Sequence, residues 1–243
     1  MKVSFFATCI TDIVLPRVGI KSVELLERLG CRVVFNPKQT CCGQPLTNTG
    51  YVEKAKKSMR LLIDALLEDD CEAIVSPSGS CVLQVKEFPK FFQGEDEWQS
   101  RAQVLANKTF EITDFIVNRL HVVDLGAELH ARAAYHPSCH MTRLLGVKEP
   151  PLKLLAHVRG LELVPFKGQE KCCGFGGTFS VKMPDLSGAM VAEKVRNLVE
   201  AGVDLVIGAD NACLMNIEGR LRKEGHSIRV MHIVEVLTCR AAA

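Results

Sequence analysis

No stretch of this 243-residue chain approaches the roughly 18 to 20 consecutive apolar residues that a membrane span needs. The apolar start, Val3 to Val14, is broken by Asp12 and lacks the small-residue cleavage site of a secretory leader. Blocks of like charge are missing too. The 30 basic and 28 acidic residues are mixed along the chain, the net charge is +2, and no electrostatic footprint for nucleic acid is present. These absences predict a cytoplasmic protein with no nucleic-acid partner and no membrane span. There is also no P-loop, flavin fingerprint or serine nucleophile elbow. Gly174-Phe175-Gly176-Gly177 imitates a dinucleotide loop, but its sixth position is Phe179 and it follows a cysteine pair rather than a strand.

Eleven cysteines are present, a high and odd number. An intracellular setting keeps thiols reduced, so a disulfide framework explains them poorly, whereas metal or redox chemistry explains them well. The 47% hydrophobic and 24% charged composition is that of an ordinary globular protein.

Laid against itself, the chain repeats with a period of about 130 residues. Phe5-Phe6-Ala7-Thr8-Cys9 matches Tyr135-His136-Pro137-Ser138-Cys139, and Gly30-Cys31-Arg32-Val33-Val34 matches Gly160-Leu161-Glu162-Leu163-Val164. Cys41-Cys42-Gly43 then matches Cys172-Cys173-Gly174, and Cys81 matches Cys213. In the first half 31 residues separate Cys9 from Cys41 and 38 separate Cys42 from Cys81; in the second, 32 separate Cys139 from Cys172 and 39 separate Cys173 from Cys213. Cys31, Cys71 and Cys239 have no cysteine counterpart and read as buried thiols acting as small hydrophobes. The expected halves are 1–125 and 126–243.

In the first half, Val3 to Ala7, Cys31 to Phe35 and Ala73 to Ser76 read as short buried strands, and Val18 to Leu29 and Val52 to Leu67 carry apolar residues at helical spacing. The second half repeats this with Ala133 to His136, Leu161 to Val164 and Leu205 to Gly208 as strands and Leu152 to Val158 and Ala189 to Ala201 as helices. Such alternation predicts an α/β fold of two pseudo-symmetric repeats, each a mainly parallel sheet flanked by helices with a cysteine-lined edge. The segment Gln93 to Ala106 has no clean partner in the second half and reads as a surface elaboration.

Each half supplies four thiols, the usual number for a 4Fe-4S cluster, which suggests one cluster per repeat on Cys9, Cys41, Cys42 and Cys81 and on Cys139, Cys172, Cys173 and Cys213. Gly43 and Gly174 follow the cysteine pairs, where a positive φ lets backbone approach inorganic sulfur. Zinc is the competing reading, although its sites usually draw on closely spaced pairs such as Cys-x2-Cys and neither half has one. Buried thiols without any metal are the third. His136 and His140 flank Cys139 but align with Phe6 and Ile10, so they read as packing or hydrogen-bonding neighbours of a cluster rather than ligands needed by both halves.

These motifs, with Cys41-Cys42-Gly43-Gln44-Pro45, Ser78-Gly79-Ser80-Cys81 and Cys172-Cys173-Gly174-Phe175-Gly176-Gly177-Thr178-Phe179-Ser180, resemble the cysteine-rich CCG-domain proteins. That group includes the cysteine-rich component of heterodisulfide reductase and the iron–sulfur subunits of glycolate and glycerol-3-phosphate oxidoreductases. Within it the chain is most similar to the lactate utilisation protein A family, over nearly its whole length. The resemblance implies a cytoplasmic subunit of a three-protein system that oxidises L-lactate to pyruvate, beside a larger ferredoxin-like iron–sulfur subunit and a third small subunit. One departure stands out. The heterodisulfide reductase motif ends in Cys-x-x-Cys, and here Ser78 and Asp210 replace the first of that pair. This removes the ligand pattern of a non-cubane cluster, while leaving Ser78 or Asp210 as oxygen donors that can reach an iron.

Three functions follow. The leading one is an electron-transfer subunit with two clusters. The alternative is a catalytic subunit whose cluster has an open iron acting on a disulfide or a 2-hydroxy acid, with His136 or His140 as acid or base. A structural zinc protein is the last.

Overall fold

The short apolar runs and the amphipathic stretches between them fold into two units, Met1–Phe115 and Ile116–Ala243, in a computed structural model that describes residues 1–240. Residues 241–243 at the end of the second half lie outside the described residues.

In the first unit β1 (Lys2–Phe5) leads through α1 (Cys9–Ile13) and α2 (Pro16–Arg28) to β2 (Arg32–Val34). The chain continues through α3 (Gln44–Thr47) and α4 (Val52–Glu68) to β3 (Ala73–Ser76), then α5 (Gly79–Phe91), α6 (Asp96–Lys108), β4 (Thr109–Glu111) and the single turn α7 (Ile112–Asp114). The sheet order is β2-β1-β3-β4 and every pairing is parallel, with Val3 opposite both Val33 and Ala73 and Ile74 opposite Thr109. A parallel sheet needs helical crossovers and buries both faces, which is why β3 is buried at all four residues. Pro16 starts α2, where its missing N–H costs nothing, and Gly30 at φ +82° follows its end.

The second unit repeats the plan. Its strands are β5 (Glu128–His136), β6 (Arg159–Leu163), β7 (Leu205–Gly208) and β8 (Arg229–His232), in the all-parallel order β6-β5-β7-β8. Ala133 faces Leu163 and Leu205 as Val3 faces Val33 and Ala73. Its helices are α8 (Glu149–Ala156), α9 (Phe179–Lys182), α10 (Pro184–Glu200), α11 (Asn211–Lys223) and α12 (Ile233–Leu237). Both units are therefore α/β, with two four-stranded parallel sheets flanked by helices, as the sequence pattern predicts.

The 17-residue helices α4 and α10 show how closely the repeats correspond. Ala55, Met59, Leu62, Ile63, Ala65 and Leu66 are buried in α4, and at the matching positions of α10 so are Ser187, Val191, Lys194, Val195, Asn197 and Leu198. Each fully buried aliphatic side chain contributes about 1.5–3 kcal/mol.

Two expectations need correction. The segment Gln93 to Ala106 is not a surface elaboration, because α6 packs on α4 and α5 and buries Ala102, Leu105 and Ala106 in the first core. Its apolar face is narrow, three residues among charged neighbours, so periodicity alone does not reveal it. The second-half strand expected over Ala133 to His136 is also longer at its start, since β5 begins at Glu128 and crosses an irregularity between Glu128 and Ala131. Among the described residues no helix is long and apolar enough to cross a membrane.

Candidate metal centres

In parallel sheets the loops leaving the carboxyl ends of strands gather at one edge. Cys9 follows β1 and opens α1, Cys41 and Cys42 lie between β2 and α3, and Cys81 stands in the first turn of α5 after β3. The fold thus brings together four thiols from three connections. Cys9 Sγ lies 3.8 Å from Cys41 Sγ and Cys42 Sγ lies 3.6 Å from Cys81 Sγ. None is disulfide-bonded; Cys42 is buried and the other three are half-buried.

Polar side chains tie the loops in place. Gln39 accepts from the Ala7 backbone N–H at 2.9 Å and donates to the Phe5 carbonyl at 3.1 Å, fixing the cysteine-pair loop to the end of β1. Gln44 donates to the Ser80 carbonyl at 3.0 Å, linking that loop to the turn that carries Cys81. Thr40 donates to the Ser58 carbonyl on α4 at 3.0 Å. Gly43 takes φ +82° and Gly174 φ +83°, a left-handed conformation that a side chain opposes.

In the second unit Cys139 follows β5, Cys172 and Cys173 follow β6, and Cys213 lies in the first turn of α11 after β7. Cys139 Sγ is 3.5 Å from Nδ1 of His140, Cys172 Sγ accepts from the Gly174 N–H at 3.4 Å, and Asn216 donates to the Cys173 carbonyl at 2.8 Å. His136, Cys173 and Cys213 are all buried, and their donor atoms lie within 4.8 Å of one another. Neither ring nitrogen of His136 has a hydrogen-bond partner. Burial, with the nearby Lys194 charge, presses its pKa from 6.5 down to about 3, so the imidazole is neutral.

One thiol in each set is poised to ionise. Hydrogen bonds from Cys42 and Cys9 hold Cys41 at about 3, while the bond to Cys41 and burial push Cys9 up. Hydrogen bonds from Cys139 and Cys173 lower Cys172, and the bond to Cys172 and burial raise Cys139. Thiolate is the form that binds metal, and four converging sulfurs with a backbone N–H aimed at one of them form a donor set suited to soft metal or an iron–sulfur cluster.

Ser78 and Asp210 are buried at the N-caps of α5 and α11, one turn before Cys81 and Cys213. Asp210 accepts from the Ala212 N–H at 3.3 Å, a capping bond, and the Ser78 hydroxyl lies 3.3 Å from that of Ser80. Cys31 and Cys71 are 6% and 4% exposed, and burial raises both thiols; Cys239 is only half-buried, its Sγ 3.3 Å from the Glu235 carbonyl.

Sequence reasoning missed Lys194. It is 2% exposed and donates to the carbonyls of Gly168 and Gln169 at 3.2 and 3.1 Å. It lines a cavity of about 300 Å³ together with Cys172, Arg143 and a paired Lys171 and Glu193. The available signal was a lysine at an apolar-phase position of an amphipathic helix. In the first unit a cavity of about 410 Å³ beside Cys9 and Cys41 is lined by Asp12, Ile13 and Phe35.

The cysteine-rich CCG domain model matches twice, over residues 3–86 and 133–218. Lactate utilization protein A of Geobacillus kaustophilus is 56% identical over 240 residues, covering 99% of this chain and 100% of that protein. Its namesake in Bacillus subtilis is 54% identical over the same shares. A hypothetical protein from Helicobacter pylori has a similar solved structure, with TM-score 0.68 at 8% identity over 97% of this chain and 48% of that one, a likeness of fold alone.

Proposed function

The chain belongs to the cysteine-rich CCG-domain family and, within it, to the relatives named lactate utilization protein A; from that premise we propose that it is an iron–sulfur electron-transfer subunit of a complex oxidising L-lactate to pyruvate. The observation that carries the reading is the duplicated set of four converging, non-disulfide thiols, Cys9, Cys41, Cys42 and Cys81 and then Cys139, Cys172, Cys173 and Cys213. One 4Fe-4S cluster per repeat fits four thiolates each. A cluster couple carries single electrons, and oxidation of a 2-hydroxy acid releases two that need a route away. The partners are a ferredoxin-like iron–sulfur subunit and a third small subunit, in the cytoplasm.

A second reading, a structural zinc ion, rests on the close approach of His136, Cys173 and Cys213 in the second unit, whose donor atoms lie within 4.8 Å of one another. A third, a catalytic cluster with an open iron, would draw on the neutral, unpartnered His136 as acid or base.

Iron, zinc and acid-labile sulfide, measured with EPR spectra on anaerobically purified protein, separate the three. About eight irons per chain, halved in Cys81→Ala and in Cys213→Ala, is the expected result for two cubanes. Zinc without sulfide overturns the reading. Roughly six irons with an unusual EPR signal would move the assignment to a site with an open iron.

A further inference from the structure

The two thiol sets sit in the same connections of their sheets, yet the side chains behind them differ in kind. Val3 and Ala133 hold equivalent places, each paired to both flanking strands, so three residues later Phe6 and His136 are equivalent as well. Phe6 is fully buried in the core that contains Cys42 and abuts Cys41 and Cys81. His136 is as deeply buried, but one of its ring nitrogens lies within 4.8 Å of the Cys173 and Cys213 sulfurs and neither nitrogen has a hydrogen-bond partner. The long helices repeat the contrast. Leu62 and Lys194 are the eleventh residues of α4 and α10, both buried, one aliphatic and one an ammonium.

The openings to the two sites follow the same division. Asp12 is the charged residue lining the cavity beside Cys9 and Cys41. Beside Cys172 stand Arg143 and Lys194, together with a Lys171 and Glu193 whose charges pair at 2.5 Å.

We infer that the two centres are inequivalent by construction, and that the one held by Cys139, Cys172, Cys173 and Cys213 has the higher reduction potential because His136 and Lys194 stand where the first repeat has Phe6 and Leu62. The inference rests on the cluster reading proposed above. A cluster gains a negative charge on reduction. A buried ammonium nearby favours that form, and so does an imidazole nitrogen within 4.8 Å of two of the sulfurs when it carries the proton, because the low-dielectric surroundings screen neither. Phenyl and isobutyl groups offer no such stabilisation, and a carboxylate at the opening opposes reduction. Under a one-electron titrant the second-repeat centre therefore fills first. His136 and Lys194 act as positioning residues, through the sulfurs rather than on substrate.

The test is an EPR-monitored potentiometric titration of the reconstituted full chain. Two couples are expected, the higher lost in Cys213→Ala and the lower lost in Cys81→Ala. His136→Phe and Lys194→Met should each lower the higher couple by at least tenfold in its reduction equilibrium, about 59 mV for one electron, and leave the lower couple in place. Phe6→His should raise the lower couple. Iron and sulfide per chain are measured for every variant, so that a shifted potential is read only from loaded protein. Unmoved potentials in fully loaded His136→Phe and Lys194→Met, or loss of the higher couple in Cys81→Ala, overturn the assignment of the higher potential to the second repeat through these two residues and leave the cluster reading standing. Wild type that takes up no iron and sulfide overturns the cluster reading and the inference with it.

Discussion

The carbonyl oxygen of Ser187 stands 2.8 Å from the point where a Cβ on Gly174 would lie. Ser187 opens the buried face of α10, so the Cys172-Cys173 loop rests against that helix at a distance only a bare backbone allows. Ala55 is the matching residue of the first repeat, and there the contact is looser: a Cβ on Gly43 would meet the Ala55 methyl at 3.3 Å and the Ser58 hydroxyl at 3.2 Å.

Gly174→Ala should therefore cost more than Gly43→Ala. Both introduce a side chain at positive φ, a penalty of about 1–2 kcal/mol. Gly174→Ala must also move a backbone carbonyl on a packed helix, whereas the Ser58 hydroxyl and the Ala55 methyl facing Gly43, at 3.2 and 3.3 Å, need give way by only a few tenths of an ångström. The expected outcome is loss of the second site's share of metal in Gly174→Ala and partial retention of the first site's in Gly43→Ala. Metal content per chain, measured beside each single-site cysteine variant, checks it.

How much of this was legible in the sequence follows from which signals survive duplication. The eight cysteines and the apolar strands recur at nearly fixed spacing, and β3, β7 and the span of α4 lie close to where periodicity puts them, whereas α10 starts at Pro184, five residues before the expected Ala189. β4 and β8 are three and four residues long and lack a strong apolar run, so only their pairing to β3 and β7 defines them. Lys194 was hidden for a different reason. A charged residue in an amphipathic helix reads as solvated, and only tertiary packing shows its ammonium bonded to the Gly168 and Gln169 carbonyls. Asp210 reads in sequence as the remnant of a cysteine position, and folding shows it also caps α11.

The α6 helix offers a direct check on its place in the core. Leu105 is fully buried against α4 and α5, while Val104 next to it is 44% exposed. Leu105→Ala should destabilise the first unit by about 2–5 kcal/mol, and Val104→Ala by no more than about 0.5 kcal/mol. Trp98 is the single tryptophan of the chain and stacks on Phe92 at a centroid distance of 6.1 Å within that unit. Its fluorescence during urea unfolding therefore reports the first unit selectively, and equal midpoints for the two variants would place α6 outside the core.

Glu111 makes the same unit sensitive to pH. It ends β4 and caps α7, accepting from the N–H groups of Thr113 and Asp114 at 2.8 and 3.1 Å, with its second carboxyl oxygen buried and unpartnered. Burial outweighs those bonds and lifts its pKa from 4.5 to about 7. Below pH 4.5 the carboxyl is protonated in the folded and unfolded chains alike, and its titration contributes nothing. Between 4.5 and 7 the unfolded chain releases its proton first, so stability falls as pH rises, and above about 7 the loss is complete, at about 3 kcal/mol in order of magnitude. Glu111→Gln keeps an oxygen for the two N–H groups and removes the ionisation. Unfolding followed by Trp98 fluorescence at pH 5 and pH 8 should show the wild type losing stability between the two and Glu111→Gln losing markedly less. Equal pH dependence in both proteins would mean that the carboxyl is ionised in the fold at an ordinary pKa, and that its buried oxygen is solvated.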